Sequence, residues 1–346
     1  MGSVCFTYYY LRIFIYRGVS SSVWEGTDSG LLLSRNNYLL LLTLTLIAAL
    51  LFILIRLEFR KIVRMKKHIK EANQLIENAE KKMVRLELRD KDMTDSLIYA
   101  QRIQEALLPS EDYFRDYFRN SFIFFKPKDI VSGDFYWIGE KGDKIFVVAA
   151  DCTGHGVPGA LMSVIGLDII DKTINEENIE KPSKILAVMN KGLEKTFSRE
   201  KNIGTIIRDG MDIGLCVIDR KQKRFEYAGA FFPLYLVRDD MLIEVKGDKY
   251  IIGMNPEGIE YTNHEVDLKE DDIIYIFSDG YVDQFGGQEN KKFMYRRFRY
   301  LLLKIHSLPF EDQKAILEEN ITTWMSGNSQ VDDIMVIGFK PLEGKR

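Results

Sequence analysis

Between Asn36 and Ile55 the chain reads NNYLLLLTLTLIAALLFILI, twenty consecutive residues without a charge. At about 1.5 Å of rise per residue, a helix of that length covers roughly the 30 Å of bilayer hydrocarbon. No strongly polar residue follows Asn37 within the run, as one would on a helix packed into a globular core. A cleaved signal peptide would place a shorter apolar run nearer the start, behind a basic stretch. The run therefore predicts one transmembrane helix over residues 36–55, with a short extracytoplasmic segment, residues 1–35, before it. Arg56, Arg60, Lys61, Arg64, Lys66 and Lys67 follow within twelve positions, against Arg12, Arg17 and Arg35 ahead of it. Basic residues stay on the cytoplasmic side. The expected protein is single-pass in the cytoplasmic membrane, with its C-terminal bulk in the cytoplasm.

Past the membrane, apolar residues recur at Ile62, Met65, Ile69, Ala72, Ile76, Ala79, Met83 and Leu86, then at Met93, Leu97, Ala100 and Leu107. The steps alternate three and four, interrupted by Asp90 and Gln104. A 3.5-residue period held this long predicts a parallel coiled-coil homodimer over residues 56–109 rather than one amphipathic helix lying on a domain. Pro109 is placed to end it.

Composition narrows the chemistry. The formal net charge of -3 and pI near 6.0 lack the basic excess that nucleic-acid binding demands. Cys5, Cys152 and Cys216 are far apart with no CxxC spacing, and His68, His155, His264 and His306 form no pair at metal-ligand spacing. A metal bound by this chain must therefore be held by carboxylates.

From Ser121 onward, short β-branched and aromatic runs take over: SFIFFKP, KIFVVAAD, MDIGLCVID, RFEYAGA, LYLVR, IIYIFSD and DIMVIGF. Helical stretches are expected after Pro158, after Pro182 and between Phe293 and Trp324. Short connections such as Asp219 to Lys223 favour antiparallel neighbours. The fold class expected for residues 110–346 is α+β, a two-sheet antiparallel β-sandwich flanked by helices.

Acidic residues stand at the ends of these runs. Asp134 lies in SGDF, Asp151 ends KIFVVAAD, Asp279 ends IIYIFSD, and Asp332 and Asp333 open DDIMVIGF. An aspartate often punctuates a strand end, but acids at four such edges suggest one converging cluster. Like charges that close together stay ionised only beside a cation. Oxygen ligands suit the hard ions Mg²⁺ or Mn²⁺, and two such ions about 3.5–4 Å apart can promote attack of water on a phosphoryl group.

SGDFYW, DCTGHGVPGALMS, DGMDIGLCVID, YAGAFFPLYLVR, FSDGYVDQFGG and VDDIMVIGF occur in that order between Phe122 and Phe339. Together they resemble the metal-dependent PPM serine/threonine phosphatases, in their bacterial SpoIIE/RsbU-like branch. SLIYAQRIQEALLP resembles the linker helix that joins sensor modules to such domains. The resemblance implies that Asp151 bridges two Mn²⁺ or Mg²⁺ ions and that the Cys152 carbonyl ligates one of them. It further implies that Asp279 and Asp332 complete the other shell, that Asp134 acts directly or through a water, and that Asp333 takes a position that is Asn in eukaryotic relatives. Asp151, Asp279 and Asp332 are the catalytic residues so implied. Thr153 stands where eukaryotic relatives carry a histidine proposed as general acid, which leaves His155 either a loop residue beside Gly154 and Gly156 or, as the alternative, a proton donor to the leaving serine. Phe231, Phe232 and Ile251 depart from the branch's pattern. The implied substrate is a phosphorylated Ser/Thr regulator, a small STAS-domain protein. Two alternatives stand beside this reading: a non-catalytic pseudophosphatase relaying signals at the membrane, and a nucleotide cyclase, whose GGDEF motif SGDF matches only in part.

Overall fold

The computed structural model describes residues 28–198, 209–255 and 258–344. It divides into two compact units, Met1–Leu88 and Arg89–Arg346. In the first, helix α1 (Asp28–Leu107) begins, and an 18-residue window of it reaches a mean hydropathy of 2.9 with none of it buried. That is a candidate membrane span by length and composition. Residues 1–27 of the segment expected to be extracytoplasmic lie outside the described residues. Farther along α1, the seam residues Ile62, Met65, Ile69, Ile76, Met83 and Leu86 are all exposed within the single chain.

The second unit opens with the last turns of α1. There the pattern changes: Leu97, Ala100, Gln101 and Gln104 lose solvent exposure while the residues between them up to Leu107 keep it. Gln104, which in sequence merely interrupts the seam, faces the domain and is 6% exposed. The helix stops at Leu107, two residues before Pro109, and Ser110 then caps a short helix α2 (Glu111–Tyr117) by accepting from the Tyr113 amide.

Two five-stranded sheets follow. One has the order β1 (Ser121–Lys126), β12 (Ile334–Phe339), β9 (Ile273–Phe277), β6 (Leu234–Arg238), β7 (Met241–Val245). The other has the order β2 (Phe135–Lys141), β3 (Lys144–Cys152), β4 (Met211–Asp219), β5 (Arg224–Ala230), β8 (His264–Asp267). Every ladder in them is antiparallel, as the short connections require. At the β4–β5 hairpin the Asp219 side chain accepts from the Gln222 amide and Lys223 takes a positive φ of 49°. A two-residue ribbon, β10 (Phe285–Gly286) with β11 (Lys291–Lys292), lies outside both sheets.

Alternation along each strand explains the stacking. On β3, Ile145, Val147 and Ala149 face the other sheet, where they meet Ile274, Ile276, Met335 and Ile337. Phe146, Val148 and Ala150 face the opposite way, onto helices α3 (Gly156–Asn175) and α4 (Pro182–Ser198). The first sheet does the same, with Tyr275, Phe277, Ile334 and Val336 under α5 (Gly280–Asp283), α6 (Tyr295–Ile305) and α7 (Phe310–Met325). Strands buried on both faces read as continuous apolar runs. Each fully buried Val, Leu, Ile or Phe contributes about 1.5–3 kcal/mol, so this four-layer stack holds the strand ends rigidly.

Candidate metal centre

The acids converge because register brings the strand ends together. Asp151 is the last but one residue of β3 and lies directly across the ladder from Asp212 near the start of β4. Opposed like charges destabilise an antiparallel pair, so this arrangement needs a reason. In the other sheet, β12 runs beside β9, which places Asp279 just after β9 next to Asp332 and Asp333 just before β12. A Cβ on Gly280 would lie 1.9 Å from the Asp333 carbonyl, so only glycine permits that approach. Asp134 comes from the loop before β2. Gly133 sits against the backbone of the loop after β3: a Cβ there would be 2.6 Å from the Gly154 carbonyl and 3.4 Å from that of Cys152.

Burial and mutual repulsion push these carboxyls toward protonation. Asp134 is 1% exposed and its pKa is raised well above the usual carboxylate value by desolvation, then by Asp151. Asp151 is raised by burial first, then by the charges of Asp279, Asp332 and Asp212. Asp279 is pushed up to about 6 by burial, Asp283 and Asp332, and Asp212 to about 7 by burial and Asp279. Asp332 moves up for the same first reason. The nearby cations, Lys128 beside Asp332 and Lys292 beside Asp279, only partly offset this.

Asp151 makes buried Asp134 harder to ionise, and Asp279 adds its charge to that of Asp332 and Asp212 on Asp151. Carboxyls crowded in this way escape repulsion by keeping protons, and a divalent cation would replace such protons. Among the described residues no group of three or more His, Cys, Asp or Glu side chains is arranged as a ready-made ligand cage. Asp134 Oδ2 is nonetheless buried without a hydrogen-bond partner. The donor set is all oxygen and strongly anionic, which fits a hard divalent ion such as Mg²⁺ or Mn²⁺.

The remaining residues divide between ligation and support. Asp333 is 2% exposed, and its two oxygens accept from the Lys128 amide at 2.7 Å and the Gly133 amide at 2.7 Å. It thereby anchors the loop that carries Asp134. The Cys152 thiol is buried and shifted well upward, chiefly by desolvation, so only its backbone carbonyl is available as a donor. Thr153 holds the backbone of Gly210 through its amide and hydroxyl. His155 caps α3 without a side-chain cap bond. Its Nδ1 instead pairs with Asp129 Oδ2 at 2.6 Å, a contact the sequence did not suggest.

Gln104 and Asp212 escaped the sequence reading. Gln104 Nε2 donates to the Ser132 carbonyl at 2.6 Å and to Ser163 Oγ at 2.9 Å, while the Ser132 amide donates to Gln104 Oε1 at 3.0 Å. One side chain thus joins the end of α1, the loop before Asp134 and helix α3. Asp212 was visible only through register, since matching the end of KIFVVAAD to the start of MDIGLCVID sets it opposite Asp151. We expect Gln104→Ala to leave buried polar groups of Ser132 unsatisfied, costing about 1–3 kcal/mol of stability. We also expect it to weaken Mn²⁺ binding roughly 10–100-fold, as loss of a supporting hydrogen bond does at metal sites. Melting curves and a Mn²⁺ titration of the variant check both.

Two stacked antiparallel sheets between helical layers, with carboxylates gathered at the strand ends, define the PP2C-type fold of the PPM phosphatases, a metal-dependent class. The family model for Stage II sporulation protein E (SpoIIE) matches residues 141–341, more than half the chain, and the chain belongs to that family. The SiaA-PP2C domain of Pseudomonas aeruginosa is 32% identical with a TM-score of 0.66, covering 72% of this chain and 98% of that one. Phosphoserine phosphatase RsbU of Bacillus subtilis (strain 168) is 26% identical over 161 residues, which are 45% of this chain and 44% of RsbU. The chain thus matches less than half the length of that relative. The PP2C phosphatase domain with a regulatory-domain fragment of SpoIIE from Bacillus subtilis shares the fold, at TM-score 0.50 and 20% identity, over 64% of this chain and 62% of that one.

Proposed function

We propose that this chain is a membrane-anchored, metal-dependent protein phosphatase that removes phosphate from Ser or Thr of a regulator protein in signal transduction. The observation that carries the reading is the convergence of Asp134, Asp151, Asp279 and Asp332 at desolvated strand ends. So costly an arrangement has a use if cations are bound there. Asp151, Asp279 and Asp332 would hold two Mn²⁺ or Mg²⁺ ions, with Asp134 and the Cys152 carbonyl contributing and Asp333 fixing the loop. Such ions supply activation of a water and neutralisation of phosphoryl charge. The presence of each acidic position argues against a pseudophosphatase, and this fold argues against a cyclase.

A relative named as a phosphoserine phosphatase supports a phosphorylated regulator as substrate, which we take to be a small STAS-domain protein. An apolar helix of spanning length and the basic residues after it support single-pass anchoring in the cytoplasmic membrane with the phosphatase domain in the cytoplasm. The exposed seam of α1 supports a parallel homodimer. Gln104 would then let the rod act on the loop bearing Asp134.

The test is hydrolysis of p-nitrophenyl phosphate by the full chain in neutral detergent micelles. We expect turnover that requires Mn²⁺ or Mg²⁺ and disappears on chelation. Turnover that survives chelation, or none with either ion, refutes the proposal.

A further inference from the structure

The face of the domain formed by α6 and α7 carries a feature that the metal centre does not use. A cavity of about 800 Å³ lies between them, with an apolar floor of Phe293, Leu301 and Trp324. Its rim holds Arg296, Arg297 and Lys304, and among the described residues no acid lines it. The whole chain carries a net charge of -3, so this positive face runs against the overall balance. Tyr300 stands beside it at 72% exposure. Arg297 is already set in place, stacked 4.7 Å over the Trp324 ring and donating to the Phe293 carbonyl at 3.2 Å. A stacked, hydrogen-bonded guanidinium loses little freedom when an anion arrives.

Helix α6, one wall of the cavity, starts beside the elements that carry Asp279. The Met294 amide at the start of α6 donates to the Val282 carbonyl of α5 at 2.7 Å, and α5 directly follows Asp279. Lys292 pairs with Asp283 of α5 at 2.7 Å. Tyr295, the first residue of α6, packs against Phe277 of β9 at a ring distance of 6.4 Å, two residues before Asp279. A bound chain lying along α6 would therefore lead toward the strand ends where the carboxylates meet.

We propose that the α6–α7 groove is the docking surface for an acidic, amphipathic segment of the phosphoprotein substrate, its carboxylates meeting Arg296, Arg297 and Lys304 and its apolar side resting on Trp324 and Tyr300. The proposal rests on the phosphatase reading given above. Aromatic anchors supply contact area at low entropic cost, and the cationic rim selects charge and speeds encounter. The groove sets which phosphoprotein is used, and the acidic centre sets what happens to it.

The test uses the full chain in neutral detergent micelles and three probes: p-nitrophenyl phosphate, a phosphoserine peptide flanked by an Asp/Glu-rich amphipathic segment, and the same peptide with those acids replaced by Gln and Asn. For the unmutated chain we expect a lower KM for the acid-flanked peptide, an advantage that fades as salt screens it. Combined Arg296→Glu and Lys304→Glu should raise that KM about tenfold, leaving kcat, the neutral peptide and p-nitrophenyl phosphate unchanged. Tyr300→Ala should raise the KM of both peptides. Equal KM values for the two peptides in the unmutated chain, or charge reversals without effect on them, overturn the proposal. A fall in molecular mass on charge reversal with peptide kinetics intact assigns the groove to a second copy and overturns it too. If charge reversal abolishes only a stimulation by phosphatidylserine in the micelles, the groove belongs to lipid and the proposal again falls. Absence of p-nitrophenyl phosphate turnover in the unmutated chain would instead refute the phosphatase reading.

Discussion

Asp151→Asn is expected to abolish hydrolysis, lowering the rate at saturating Mn²⁺ by about 10³-fold or more, the scale on which removing a group that organises transition-state charge acts. The size of the effect follows from position. Asp151 feels the charges of Asp279, Asp332 and Asp212, acts in turn on buried Asp134, and lies opposite Asp212 across the β3–β4 ladder. Asparagine keeps the shape and one acceptor but removes the charge on which a bridging role depends. His155→Ala should by contrast retain most of the activity, because His155 is half exposed and paired with Asp129. Parallel turnover measurements over a Mn²⁺ titration decide the matter: a His155→Ala chain as inactive as Asp151→Asn would reverse the roles assigned here.

The second large effect is on stability. A ligand at 100 times its dissociation constant stabilises the folded state by about 2.7 kcal/mol per site. In a unit of this size each kcal/mol moves Tm by about 2–4 °C, so each site filled by Mn²⁺ should raise Tm by roughly 5–10 °C. The pH dependence has a definite sign. Asp279 and Asp212 titrate at about 6 and about 7 in the folded state, against about 3.9 for an unfolded aspartate. Between those limits the folded protein keeps protons that the unfolded chain has released. This contribution to stability is fully present below about pH 4 and is lost as pH rises through 6 and 7. The Tm of chelated protein should therefore fall between pH 5 and pH 8. Added Mn²⁺ should flatten that slope, because cations replace the displaced protons, and its apparent affinity should be weaker at pH 6 than at pH 8. Scanning calorimetry with and without metal reads all three, and a metal-independent Tm at pH 8 would remove the site.

Much of the framework was legible residue by residue. KIFVVAAD, MDIGLCVID, IIYIFSD and DIMVIGF are strands because their side chains must be apolar on both faces, and an interior strand between two packed layers has no other pattern. Strands β2, β7 and β8 were not legible. MLIEV and HEVD are short or polar edge strands with one face in solvent, and FYWIGEK mixes glycine and charge into its second half. Short edge strands depend on their neighbours more than on their own composition.

Asp151, Asp279 and Asp332 could be seen because each stands where an apolar run stops. Asp212 and Gln104 could not. Asp212 sits just inside the start of a strand, and only the ladder reveals that it faces Asp151. Gln104 fits a heptad seam as a polar interruption, and only the packing of α1 on the domain turns it toward Ser132.

By itself the sequence determined the apolar span, the two-residue alternation, the order of the motifs and the hardness of any metal the chain could hold. These are local properties, fixed by how many residues make a turn or a pleat and by which donor atoms are present. Only the tertiary structure decided which carboxylates share one volume. The Asp333 side chain reaches the amide of Gly133 across 200 residues of sequence, and Asp151 meets Asp212 only in one strand register. Such proximity is a sum over every ladder and layer between the two residues, and a shift of one residue in any strand would send these side chains to the opposite face.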